Sequence, residues 1–318
     1  MMSSTEFKRN ECVGLDLAWV NQIKVNRNAA DRRAASLVNR RSVKKEFQAA
    51  WLVKAIQCID LTTLGGDDTP ARVERLCMKA LRPLRVDLAG ALGVTGLTTG
   101  AVCVYHEMIA PAARVLAGRL PIAAVSTAFP AGLTSLETKL REIELSVLAG
   151  AAEIDIVITR QHVLNCNWQT LFDEVRAYRQ ACGAAHMKTI LATGDLATLD
   201  KVAKASWVCM MAGADFIKTS TGKEGVNATL AVALTMTRAI RDYFERYGYK
   251  VGFKPAGGVS SAKSALQYLT VMKEELGREW LEPQLFRIGA SGLLSDIERQ
   301  LEHHITGNYS ASHRHALP

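Results

Sequence analysis

Ala214-Asp215-Phe216-Ile217-Lys218-Thr219-Ser220-Thr221-Gly222-Lys223 is the stretch on which the fold turns. A short apolar run of strand character ends in a lysine and passes at once into hydroxyl and glycine residues. The pattern recurs in Lys250-Val251-Gly252-Phe253-Lys254, which opens onto Pro255-Ala256-Gly257-Gly258. A lysine that closes a buried strand beside a glycine-rich loop faces a cleft and not bulk water. Two such lysines on neighbouring strands disfavour each other's charge, and a neutral amine is a nucleophile.

Outward from these two segments the chain alternates strand-like and helix-like stretches. Strands are expected over Ile56–Leu61, Ala101–Tyr105, Ile122–Thr127, Glu153–Ile158, Lys188–Ala192, Asp215–Thr219, Val251–Lys254 and Leu285–Ile288. They are largely apolar, as parallel strands covered on both faces should be. Between them, Leu136–Leu148, Trp168–Cys182, Leu196–Met211, Ala228–Phe244 and Ala262–Leu276 have helical apolar spacing. Small-residue turns such as Ala149-Gly150-Ala151-Ala152 end helices before strands. Eight β-α units predict a (β/α)8 TIM barrel with an N-terminal helical extension. A doubly wound open sheet is the second choice, weakened because no Gly-rich dinucleotide fingerprint follows the first strand.

The expected organisation is a basic helical extension over 1–50, the barrel over 51–306 and a flexible tail over 307–318. Ala49–Ile56 reads as a helix feeding the first strand and plugging the barrel floor. Residues 1–50 hold ten Lys/Arg and five Asp/Glu, so +5 of the formal +8 lies there. A basic arm could touch nucleic acid or an acidic protein. No aromatics interleave with these charges, which favours the plainer reading of a solvated helical appendage.

Nearly half of the 318 residues are apolar (48%), charge is moderate (22%), and no apolar run is long enough for a bilayer. The first eight residues lack the apolar stretch of a secretory signal. Seven scattered cysteines with no C-x-x-C pair suit reduced thiols better than a disulfide frame or a zinc site. A cytoplasmic protein is expected, and a homo-oligomer is left open.

Active residues of a barrel gather at the C-terminal strand ends. There the chain offers Asp60-Leu61-Thr62, Cys103 with Tyr105, Glu153 with Asp155 and Val157, then Lys218, Lys254 and Gly289-Ala290-Ser291-Gly292. Side chains alternate along a strand, so Asp155 and Glu153 share one face, and Lys218 shares its own with Phe216 and Ser220. A carboxylate and two amines could meet in one lumen; Asp155 could equally be a plain counter-charge to a buried lysine. A second ammonium about 6 Å away costs on the order of 3 kcal/mol at an effective dielectric of about 20, which favours loss of a proton. Spacing does not say which lysine attacks. Gly257-Gly258, Gly289-Ala290-Ser291 and Gly222-Lys223 let backbone N–H groups approach an anion such as phosphate.

Phe216–Lys223 and Val251–Gly258 closely resemble the signatures of the deoxyribose-phosphate aldolase family. Asp60-Leu61-Thr62-Thr63-Leu64, Glu153-Ile154-Asp155-Ile156-Val157 and Phe286-Arg287-Ile288-Gly289-Ala290-Ser291 fall in the expected order, and the arm resembles the longer, animal-type members. The resemblance implies a class I lyase that reversibly splits 2-deoxy-D-ribose 5-phosphate into acetaldehyde and D-glyceraldehyde 3-phosphate, in deoxyribose phosphate catabolism. It implies no metal and no organic cofactor. By motif position, Lys218 forms the Schiff base, Lys254 lowers its pKa, and Asp155 acts with Lys254 and a water as acid/base. Gly222, Lys223, Gly257, Gly258, Gly289 and Ser291 hold the phosphate, Thr221 is a further substrate-binding residue, and Asp60 and Thr62 lie near the sugar hydroxyls. Cys103 matches a site-lining cysteine and is read as packing.

The chain departs from the family pattern in three places. Ser260-Ser261 follow Val259 where bacterial members carry Arg or a similar residue. Gly292 replaces a second hydroxyl. Some bacterial members end in a site-reaching tyrosine, whereas here Tyr309 lies inside the tail. Two other readings stay open. One is a different Schiff-base barrel, transaldolase-like or acting on a longer sugar phosphate. The other is a non-catalytic protein that binds RNA or a protein through its arm.

Overall fold

The computed structural model describes residues 9–40 and 43–316. The first eight residues, on which the leader argument rests, and the last two of the tail lie outside that range. Eight parallel strands form the sheet: β1 Ile59–Thr62, β2 Ala101–Val104, β3 Ile122–Ser126, β4 Glu153–Val157, β5 His186–Ile190, β6 Phe216–Lys218, β7 Gly252–Lys254 and β8 Ile288–Ala290. Their order is β7-β6-β5-β4-β3-β2-β1-β8. Bridges Phe253↔Phe286 and Ala256↔Gly289 join the two ends, reinforced by Phe253 N–H to Leu285 O at 2.9 Å and Gly289 N–H to Pro255 O at 2.9 Å. The result is the (β/α)8 TIM barrel, not the open sheet.

Helices alternate with the strands on the outside. Before β1 come α1 Leu17–Gln22, α2 Arg27–Arg40 and α3 Lys45–Gln57. Then follow α4 Pro70–Leu81, α5 Val86–Ala91, α6 Ile109–Leu116, α7 Leu136–Leu148, α8 Arg160–Leu164, α9 Trp168–Cys182, α10 Leu199–Met211, α11 Leu230–Tyr247, α12 Ala262–Glu275 and α13 Leu293–Thr306. Hydroxyl side chains start many of them. Thr69, Ser135, Thr198, Thr229 and Ser261 each accept a backbone N–H from the first turn of the helix they precede.

The helices α7 and α9 occupy the residues expected of them. Other boundaries move for physical reasons. Ile56, expected in the first strand, is a buried residue of α3, because a short apolar run reads alike as strand or buried helix. The last strand runs Ile288–Ala290 and not Leu285–Ile288: Gly289 and Ala290 carry the ladder although glycine reads as loop. Leu196 precedes α10, whose start is set by the Thr198 cap.

Helix α3 crosses residue 50, leads into β1 as expected and packs beside α12 and α13. The arm is docked too. Arg9 pairs with Asp215 at 2.9 Å, just before β6. Buried Asn10 donates to Met210 O and Ala214 O, both at 2.8 Å, and accepts from Tyr243 Oη at 3.0 Å. Helix α2 lies on α11 and α12. A solvated appendage does not describe these residues, because their polar groups are spent on the barrel. Nor is the tail loose throughout. Buried His315 meets Ser310 Oγ at 2.7 Å and Glu302 at 3.0 Å. Among the described residues no helix is long and apolar enough to cross a membrane.

Candidate active site

Register decides which side chains meet inside the barrel. One row of partners carries Asp155, Lys188, Phe216 and Gly252, and the row two residues further along carries Val157, Ile190, Lys218 and Lys254. Asp60 on β1 is level with Ala101 and Gly289. Seven ionisable groups are thereby enclosed in the lumen: Asp60, Glu153, Asp155, Lys188, Lys218, Lys254 and Arg287, none more than 5% exposed.

Their contacts form one network. Asp155 Oδ2 accepts from Lys218 Nζ at 2.8 Å and from Lys254 Nζ at 2.7 Å, while Oδ1 accepts from Lys188 Nζ at 3.0 Å. Lys254 also donates to Asp60, and Lys188 to Glu153. Arg287 bridges Asp60 Oδ1 at 2.5 Å and Glu153 Oε1 at 2.7 Å. Gly289 makes room for this: a Cβ there would lie 3.2 Å from Lys254 Cε and 2.9 Å from the Ala256 Cβ.

Three carboxylates face four cations, so one cation has no matching charge. Burial pulls every one of these lysines toward neutrality. For Lys188 and Lys254 the neighbouring carboxylates prevail and hold the pKa above that of a free lysine. Lys218 has a single carboxylate contact, shared with Lys254. Burial, reinforced by the Lys254 ammonium, lowers its pKa against the pull of Asp155. Asp155 is itself held well below the usual carboxylate range, since Lys188, Lys218 and Lys254 outweigh the burial that opposes its charge.

Above the network lies a cavity of about 390 Å³, walled by the loops after β1, β6, β7 and β8. Its lining includes Thr62, Thr221, Gly222, Lys223, Gly257, Gly258, Gly289 and Ser291. Lys218 is the one network member that reaches it; Lys254, Asp155 and Asp60 lie beneath. Lys218 and Lys223 are the charged residues of the lining, which holds no carboxylate. Asp60, expected near sugar hydroxyls, is fully buried and engaged by Lys254 and Arg287, whereas Thr62 does line the wall. Ser260, just after the Gly257-Gly258-Val259 turn, lines it too. Cys103 packs with Ala123 and Val125. Tyr309 stacks on His303 near the end of α13, which leads away from the mouth for 14 residues, about 21 Å.

Reading strand ends did not single out Lys188 or Arg287. Both belong to the network, but Lys188 stands mid-strand and Arg287 precedes β8. A lysine inside an otherwise apolar strand is the signal that was available, because lysine is almost never fully buried unless paired.

A family model described as DeoC/LacD family aldolase matches residues 54–295. The chain is 58% identical to the deoxyribose-phosphate aldolase of Homo sapiens over 309 residues, covering 96% of this chain and 97% of that one. It is 59% identical to that of Mus musculus over 304 residues, 94% and 96% respectively. A solved deoxyribose phosphate aldolase from Aeropyrum pernix, described as tetrameric, superposes with a TM-score of 0.62 over 87% of this chain and 99% of that one, at 20% identity. That likeness concerns the fold alone. With a family match over most of the barrel and relatives of this identity along nearly its whole length, the chain belongs to the DeoC/LacD family of aldolases.

Proposed function

We propose that this aldolase reversibly cleaves 2-deoxy-D-ribose 5-phosphate to acetaldehyde and D-glyceraldehyde 3-phosphate through a Schiff base on Lys218. The observation that carries the reading is the placement of Lys218. Of three lumenal lysines on one carboxylate, it alone opens on the cavity and it alone is pushed toward the neutral amine. The names of relatives at 58–59% identity support the substrate.

The Lys218 amine adds to the C1 aldehyde of the open-chain sugar. The Lys254 ammonium, kept charged by Asp155 and Asp60, supplies the proton with which the C1 hydroxyl leaves as water, and an iminium remains. Two carbons depart as acetaldehyde, so the bond that breaks is C2–C3. The C3 hydroxyl proton passes to neutral Lys254 through a water and Asp155, while the C2–C3 electron pair moves into the enamine. Lys254 then returns that proton to C2, and water hydrolyses the iminium to acetaldehyde and free Lys218. Asp155 Oδ2 touches both amines, so one oxygen relays protons between nucleophile and acid.

The phosphate end lies between Lys223 and the loops of Gly257-Gly258 and Gly289-Ser291. Helix α13 follows Gly292, which gives it no side-chain cap and leaves its first N–H groups and positive end toward the cavity. Borohydride with acetaldehyde should add a two-carbon mass to Lys218 and none to Lys218→Ala, which should also lack turnover. Label on another lysine, or surviving turnover in Lys218→Ala, would refute the assignment.

A further inference from the structure

The loop after β6 spends its own amides. Glu224, its side chain 4% exposed, turns back so that its carboxylate accepts from Thr221 N–H at 3.1 and 3.2 Å and from Gly222 N–H at 3.2 Å. The next amide, Lys223 N–H, donates to Thr221 Oγ1 at 3.1 Å. Three successive backbone donors beside the cavity are therefore occupied within the loop. The Glu224 carbonyl in turn accepts from Asn227 Nδ2 at 2.9 Å. Asn227 lies where a Cβ on Gly257 would come within 2.6 Å of it, at a position with φ +77°, so the β6 loop is seated directly on the β7 loop. Arg160 offsets the carboxylate: it lies 3.9 Å from Glu224, pairs with Asp195 at 3.0 Å and donates to Pro130 O at 2.5 Å.

We propose that Glu224 is a positioning residue for the phosphate end of the substrate. By claiming the Thr221 and Gly222 amides it closes the turn that carries Lys223 over the cavity. The β6 loop then recognises an anion by the Lys223 ammonium and not by its backbone. Lys223 lines the cavity, and no carboxylate pairs with it among the described residues. The inference rests on the reading that the phosphate meets this loop. It assigns Thr221 and Gly222 a place in the wall, without donor duty.

The test compares 2-deoxyribose 5-phosphate with unphosphorylated 2-deoxyribose, and adds inorganic phosphate as competitive inhibitor. Glu224→Ala frees the turn, so KM for the phosphorylated sugar and the inhibition constant of phosphate should each rise about tenfold, with kcat moving far less. Preference for the phosphorylated over the unphosphorylated sugar should fall by the same factor. Glu224→Gln keeps an accepting oxygen and should recover most of the loss. Equal losses on both sugars, or a KM that does not move, would overturn the positioning role. Lys223→Ala separates the premises. If it too leaves phosphate recognition intact, the phosphate does not sit at this loop and both readings fall. If it weakens recognition while Glu224→Ala does not, the positioning role alone falls.

Discussion

At the scale of the residue, what distinguishes Lys218 from Lys188 and Lys254 is the number of carboxylates each can reach. Lys188 bonds Glu153 and Asp155 and has Asp60 at 4.0 Å, and Lys254 bonds Asp60 and Asp155, whereas Lys218 holds one oxygen and shares it. In a region sealed from water a cation without its own counter-ion is the one that gives up a proton. Activity needs that neutral amine, so it should rise with pH through the lowered pKa of Lys218. Lys254→Leu removes the like charge that shares Asp155, leaving Lys218 better held as ammonium. The acid limb of kcat/KM should therefore move to higher pH. Loss of the proton donor should lower kcat by about 10²- to 10⁴-fold. A pH–rate profile of the variant measures both, and a limb that stays in place or moves down would show that Lys254 does not depress Lys218.

At the scale of the element, the barrel sets short strands and capped helices in alternation, and the caps stand next to the site. Ser261 begins α12 immediately after Ser260, a cavity residue, and forms a reciprocal pair with Ser264. Ser261→Ala should cost about 1 kcal/mol of stability, measured by urea or thermal unfolding. Because the lysine network lies on other elements, trapping of acetaldehyde on Lys218 should persist in that variant. An unchanged unfolding midpoint would mean that the cap is not what starts the helix. Helices were legible as long amphipathic stretches, α7 and α9 to the residue, whereas the Thr198 cap moved the start of α10 past the expected Leu196. Strands were legible as segments but not at their ends. Three-residue strands such as β6 to β8 owe their bounds to their neighbours' ladders, which no local pattern records.

At the scale of the whole molecule, the lumen stores a buried charge network that joins strands far apart in sequence. Asp60, Glu153 and Asp155 are all held below the range of free carboxylates, burial opposing their charge and the surrounding cations prevailing. Depressed carboxylates stabilise the fold at neutral pH and lose that contribution as pH falls below about 4 and through their lowered values, because the unfolded chain takes up protons first. Unfolding free energy should therefore fall on acidification across that window. Glu153→Gln should show a shallower acid dependence together with lower stability at pH 7, where Arg287 and Lys188 lose a partner. An acid slope identical to that of the parent would place the proton uptake elsewhere.

By itself the sequence determined the barrel, the order of its units, and the strand ends at which chemistry is carried. Those follow from alternation of apolar runs and from lysines placed before glycine turns, both local properties. Only the tertiary structure decided that Lys218 and not Lys254 opens on the cavity, that Asp60 turns beneath it to Lys254 and Arg287, and that Lys188 and Arg287 complete the network. It also decided that the basic arm lies against α10, α11 and α12. Each of these depends on which side chains the closing sheet brings to one level. A buried charge is set by partners from other strands, so its state is a property of the assembled lumen and of no single segment.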